Sequence, residues 1–231
     1  MYGYLLATLS VVALDGIIFW LRKDLRRPVI WGGVIYTALI IPLAFILILL
    51  GKISDITWQV IPDYWNPDTL FNLGRVTGIV SIEDVLFTLG IGGLAAVIYE
   101  VVSPHRIKNT KKHHHIISLI IFPVVSIAGA YIFSWNIIYN LILASLIGWG
   151  VIAVQRKDLI LASISGAGVF FTIYIIALFL YEKIFGPVPW TLESLSGVMV
   201  FSYPIEELLF ALSLGLMWTP IYEYVFGKSI K

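Results

Sequence analysis

The chain has 231 residues, of which 59% are apolar and 13% charged, and its mean hydropathy is +0.94. That leaves too little polar surface to coat a water-soluble globule, so a membrane is the expected solvent. The formal net charge of +1 argues against a nucleic-acid partner, and with no cysteine neither a disulfide framework nor a thiolate metal site is available.

Crossing the hydrocarbon core takes about 20 apolar residues. On that measure seven spans are predicted, at 2–21, 29–51, 78–102, 116–135, 137–155, 159–182 and 198–225. The start, Met1-Tyr2-Gly3-Tyr4, lacks the basic stretch of a cleavable leader, so the first run is expected to span. Basic residues cluster in alternate connections: Arg22 to Arg27, Arg106 to Lys112, Arg156-Lys157, and Lys228 with Lys231. Those connections are expected to be cytoplasmic, which puts the N-terminus outside and the C-terminus inside the cell membrane.

Some features along the way read as structural. Glycines 90, 92, 93, 166 and 168 suit close helix packing. Trp58, Tyr64, Trp65 and Trp190 read first as an outer aromatic belt and secondarily as residues that shape a substrate entry. Asp15 in the first span is expected to line a cavity or hold a polar contact, and the repeat gives it no counterpart, since Trp149 takes that position. His113-His114-His115 cannot all reach one ion from a helix, and neither a metal nor another cofactor is expected.

The chain repeats itself. Ser81-Ile82-Glu83-Asp84-Val85-Leu86-Phe87 returns 123 residues later as Pro204-Ile205-Glu206-Glu207-Leu208-Leu209-Phe210. At the same offset Gly74 maps onto Gly197, and Tyr99-Glu100 onto Tyr222-Glu223. Upstream, Arg22-Lys23-Asp24-Leu25 matches Arg156-Lys157-Asp158-Leu159 at an offset of 134, so the first copy carries an outer loop longer by 11 residues. Spans one to three then match spans five to seven, with span four as connector. The expected fold is an all-α integral membrane protein of about seven transmembrane helices in a 3+1+3 parallel-repeat bundle. Its parts are a first repeat at 1–102, a loop and connector at 103–136, and a second repeat at 137–231.

A carboxylate in hydrocarbon is costly, so paired acids inside two spans point to function. At 1.5 Å per residue Glu83 lies about 8 Å inside the outer end of its span, and Glu100 about 25 Å further along. Tyr99-Glu100 and Tyr222-Glu223 are expected to reach the interface and pair with Arg106 and Lys228. Adjacent helical residues point about 100° apart, so one acid of each pair, Glu83 or Asp84 and Glu206 or Glu207, faces the interior. Phe87 and Phe210 sit four residues after Glu83 and Glu206 and place a ring beside each carboxyl. An acid among apolar side chains that gives up a proton, next to an aromatic face that stabilises a cation, suits carbocation chemistry. The structural alternative is polar contact between helices, or pairing with Arg75.

The phrase from Pro204 to Phe210, with Trp190 and Gly197 before it and Tyr222-Glu223 after it, resembles the second repeat of the membrane-integral lycopene cyclases of archaea, actinobacteria and fungi. The first copy resembles their other repeat, and the chain looks like the fused form. It departs from the pattern at Ser81, where proline is expected, and at Asp84, which stands for the second glutamate. The resemblance implies a lipophilic polyene substrate and an isomerisation without net redox change. A terminal double bond of lycopene is protonated, the cation is attacked by an internal double bond, and a proton is lost to leave a β-ionone ring. It also implies Glu83 and Glu206 as proton donors or acceptors, with Asp84 and Glu207 tuning or relaying, and Phe87 and Phe210 against the substrate.

Other classes compete. A 3+1+3 transporter also carries duplicated acids, although Pro42 and Pro123 lack partners at the repeat offsets. A carotenoid hydratase would trap the same cation with water. A retinal photoreceptor needs a lysine in the last span, and 198–225 has none; a prenyl transferase needs denser aspartates than Asp63 to Asp68.

Overall fold

The computed structural model describes residues 2–54, 64–73, 76, 80–103, 107–108, 113–133 and 135–230. Backbone polar groups in lipid must be satisfied within the segment, and a chain this apolar does so almost entirely as helix. The helices are α1 (Gly3–Leu21), α2 (Arg26–Ser54), α3 (Ile82–Ala95), α4 (Ile98–Val102), α5 (Ile117–Ile132), α6 (Ile137–Gln155), α7 (Ile160–Phe185), α8 (Ile205–Trp218) and α9 (Ile221–Phe226). Two small antiparallel pairs join them: β1 (Ile107–Lys108) with β4 (Ser229–Ile230), and β2 (Met199–Val200) with β3 (Tyr203–Pro204). The β2–β3 turn is tight, with Phe201 and Ser202 both at positive φ, as a two-residue hairpin demands.

Among the described residues five segments, rather than the seven expected, are long and apolar enough to cross a membrane: α1, α2, α6, α7 and the run from Ile205 to Phe226. Helix α5 is apolar but has 16 residues, and α3 starts at Ile82 instead of 78 and stops at Ala95. Side chains such as Ile17, Leu49, Val154, Leu161 and Ile184 are more than half exposed. An apolar surface so extensive belongs in lipid, and the chain is an integral membrane protein.

The repeat is visible in the packing. Helix α3 packs on both α1 and α2, and α8 packs in the same way on both α6 and α7. Each of these central helices breaks at one equivalent place, α3 giving way to α4 at Ala96-Val97 and α8 to α9 at Thr219-Pro220. Pro220 cannot supply the helical N–H, which explains the second break; the first has no proline. Glycines permit the closest crossings in both halves. A Cβ on Gly32 would lie 2.4 Å from Ala96 Cβ, and one on Gly166 would lie 2.2 Å from Thr219 Cγ2. Gly90, Gly92 and Gly93 are similarly crowded, whereas Gly168 faces open space and is not a packing glycine.

At the far end of each repeat an arginine–aspartate fork caps the break. Arg22 binds Asp24 through Nε and Nη2, and its Nη1 donates to the Glu100 carbonyl at 3.3 Å; Arg156 does the same with Asp158 and donates to the Glu223 carbonyl at 3.1 Å. The halves interlock through these ends, α4 lying on α7 and α9 on α2.

This corrects the expectation that Glu100 and Glu223 reach the interface. Both are fully buried, and among the described residues no donor meets their carboxyl oxygens. The arginines take the backbone carbonyls exposed by the helix breaks, and both carboxyls stay buried inside the protein. Arg75, Arg106, Lys112, Lys231, Trp58, Asp63 and Gly74 lie outside the described residues.

Candidate active site

The start of α3 is set by Ser81, which caps it in a reciprocal box. Ser81 Oγ accepts from the Asp84 N–H at 3.2 Å, and Asp84 Oδ2 accepts from Ser81 N–H at 2.8 Å and Ser81 Oγ at 2.7 Å. Helix α8 has Pro204 in that place and no side-chain cap. One substitution between the copies therefore gives their second acids different duties: Asp84 closes a helix end, and Glu207 is free of it.

A cavity of about 490 Å³ opens between the halves, within the range of small-molecule sites. Helices α1, α2, α3, α6, α7 and α8 all contribute to its wall, which is overwhelmingly apolar. Asp84 and Glu207 line it, with Phe87 and Phe210 three residues further along their helices. Glu83 and Glu206 do not, although the sequence expectation put them foremost. Residues three apart lie as near on a helical face as residues four apart, and here the phenylalanines share the cavity face with the second acid of each pair.

The first acids hold loops. Glu83 Oε1 accepts from the Leu70 N–H at 2.7 Å; Glu206 Oε1 accepts from the Ser196 N–H at 2.8 Å and the Tyr139 hydroxyl at 2.5 Å. Both glutamates are buried to 1% exposure, and the second oxygen of each has no partner among the described residues. So in each repeat the first acid fastens the loop that precedes its helix, and the second faces the cavity.

The two cavity acids are held differently. Asp84 Oδ1 accepts from the Tyr4 hydroxyl at 2.7 Å, in addition to the two Ser81 bonds on Oδ2. Glu207 Oε1 accepts from the Tyr174 hydroxyl, and Oε2 from Trp190 Nε1 at 3.1 Å. Chemically this is an apolar chamber with two carboxyl groups, each steadied by a tyrosine, and with aromatic faces beside both.

The aromatic belt reading is corrected for three of its four members. Tyr64 is buried and lines the cavity, Trp65 lines it too and meets Tyr4 edge-on at 5.5 Å, and Trp190 turns its indole N–H to Glu207. An indole carried inward keeps a polar handle that needs an acceptor, and Glu207 supplies it. The loops bearing Trp65 and Trp190 pair with each other through an antiparallel bridge, so they close one end of the cavity together. Asp15 is buried against Gly93 and does not line the chamber. His114 Nδ1 meets the Val225 carbonyl at 3.0 Å and His115 stacks on Tyr224; among the described residues no group of three His, Asp or Glu is arranged to hold a metal.

Tyr4, Tyr139 and Tyr174 join the site without belonging to any motif legible in the sequence. Tyr174 carried a signal: it lies mid-way along an apolar span, where a phenol hydroxyl must find a partner inside the protein. The Ser81-x-x-Asp84 spacing was also readable as a capping box.

Neither the curated proteins nor the solved structures include a match to this chain. A family model described as lycopene cyclase matches it over residues 2–102 and 136–225, the two stretches that carry the duplicated acids. That match spans most of the chain, and the chain belongs to the lycopene cyclase family.

Proposed function

We propose that this protein is a lycopene β-cyclase, an isomerase that closes the linear ends of a carotene into β-ionone rings. The observation that carries the reading is one apolar cavity faced by both Asp84 and Glu207, with Phe87 and Phe210 beside them. Family membership supplies the substrate class, and an apolar wall suits a polyene with no polar group to recognise. A carboxylic acid protonates the terminal double bond and leaves a tertiary cation. The internal double bond attacks it, a carbon–carbon bond closes the ring, and a neighbouring C–H gives up its proton to form the ring double bond. No electrons are gained or lost.

In this reading Asp84 and Glu207 do the proton transfers, Glu83 and Glu206 keep the loops over the chamber, and the phenylalanine rings stabilise the cation by about 0.5–2 kcal/mol. The chain works as two repeats, 1–102 and 137–231, joined by 103–136. Its N-terminus lies outside the cell membrane and its C-terminus in the cytoplasm. The test is expression in a lycopene-accumulating bacterial host, followed by chromatography of the pigments. β-Ringed carotenes are expected from the parent chain and none from a variant with all four acids changed to amides. Unchanged lycopene beside membrane-inserted parent protein would overturn the proposal.

A further inference from the structure

We infer that the duplicated halves build one ring-forming site rather than two, in which Glu207 of the second repeat delivers the proton and Asp84 of the first receives the one released. This rests on the cyclase reading above and adds a division of labour to it. A duplicated enzyme acting on a substrate with two like ends invites the view that each half takes one end. The geometry points elsewhere, because the cavity acid of each copy opens onto the same chamber.

The surroundings of the two acids differ in a way that sorts their roles. Both acceptor positions of Asp84 Oδ2 are filled by Ser81, one of them by a backbone N–H that can only donate, and Oδ1 takes the Tyr4 hydroxyl. Three donors converge on this group, an arrangement built for an acceptor. A carbon-centred cation is acid enough to lose a proton even to a carboxylate so engaged. Glu207 closes no helix. It is 4% exposed, with one donor on each oxygen, so each oxygen keeps an acceptor position free of protein and its proton has room to point into the chamber. Tyr174 and Trp190 hold it from opposite oxygens and fix the direction it faces.

The cycle balances within the pair. Glu207 loses a proton to the terminal double bond, the ring bond forms, the adjacent C–H bond breaks, and its proton passes to Asp84. Returning that proton from Asp84 to Glu207 between turnovers restores the starting state with no co-reactant. Because both acids serve each ring, a second ring requires the substrate to leave and re-enter with its other end.

The experiment compares Glu207→Gln and Asp84→Asn with the parent in lycopene-accumulating cells, with membrane-inserted protein matched between them. Asp84→Gln is a third variant, since glutamine at this position preserves the helix cap while removing the ionisable group. Each variant is expected to lose one-ringed and two-ringed products together, by a hundredfold or more, and co-expression of two variants as separate chains is expected to restore neither. If any one variant keeps one-ringed carotene at a tenth of the parent's total or above, the single shared site is overturned. Purified variants incubated with lycopene in heavy water test the roles. Asp84→Asn is expected to return lycopene labelled at its ends and Glu207→Gln to return it unlabelled; any other pattern overturns the assignment. A parent that forms no ring refutes the cyclase reading itself, whereas a cyclising parent leaves that reading standing whatever the variants do.

Discussion

At the scale of single residues the site is a set of acids with unequal company. Tyr174 donates its hydroxyl to one oxygen of Glu207 and rests its ring against Phe170 at 5.9 Å, so Tyr174→Phe keeps the ring contact and removes a single hydroxyl from the cavity wall. A hydrogen bond to a carboxyl that becomes charged during reaction is worth about 1.5–3 kcal/mol. Turnover is therefore expected to fall roughly ten- to a hundredfold with KM little changed, measured as initial rates of purified enzyme on lycopene in detergent. A rise in KM at constant turnover would instead make Tyr174 a wall of the binding chamber. The buried pair at the other end behaves differently. The carboxyl oxygens of Glu100 and Glu223 meet no donor among the described residues, so it is their backbone carbonyls, not their side chains, that the arginines hold. Exchanging one of them for glutamine removes an ionisable group that burial penalises and that no described donor compensates. Glu223→Gln is expected to melt at or above the parent's temperature. A clear drop would show that the carboxyl is bound by something these contacts omit.

At the scale of elements, the central helix of each repeat carries the acid at its start and, at its other end, the break against which a glycine of the neighbouring helix packs. Helix α3 leans on α2 through Gly32 and α8 on α7 through Gly166, so these crossings fix where each central helix lies in its repeat. A methyl group at either site would sit 2.4 Å or less from a neighbouring carbon, and such overpacking costs about 1–3 kcal/mol. Gly32→Ala and Gly166→Ala are both expected to lower the melting temperature and the cyclisation rate. Gly168→Ala, which meets nothing within 4 Å, is expected to leave both alone. The sequence could not separate these cases, because glycine spacing marks a helix face without saying what lies across it. The same limit governed the acids. The duplication made Glu83, Asp84, Glu206 and Glu207 legible as a group, but adjacent residues differ by about 100° in direction, and which one faces the chamber depends on how α1, α2 and α7 close around it. Ser81 was legible as a departure from its copy and its spacing to Asp84 as a capping box; that the capping Asp84 also takes the Tyr4 hydroxyl became plain only from the hydrogen bonds.

For the whole molecule, the two halves set one end apart from the other. Arg22, Arg156 and the backbone of Lys228 gather at the Glu100 and Glu223 end, where Arg156 Nη2 reaches the Lys228 carbonyl at 2.5 Å. The duplicated acid phrases and the paired loops of Trp65 and Trp190 lie at the opposite ends of the same helices. A cytoplasmic excess of lysine and arginine orients membrane proteins, so the arginine forks are expected inside and the chamber's loops outside. The absence of cysteine makes this directly measurable, because any introduced thiol is a unique reporter. Lys157 and Glu193 are exposed at the two ends, in the turn before α7 and in the loop before α8. In intact cells a membrane-impermeant maleimide is expected to label Glu193→Cys at once and Lys157→Cys only after the membrane is broken. Reversed labelling would put the chamber's loops on the cytoplasmic side and invert the proposed orientation. Labelling of both in intact cells would mean that the chain between them does not cross.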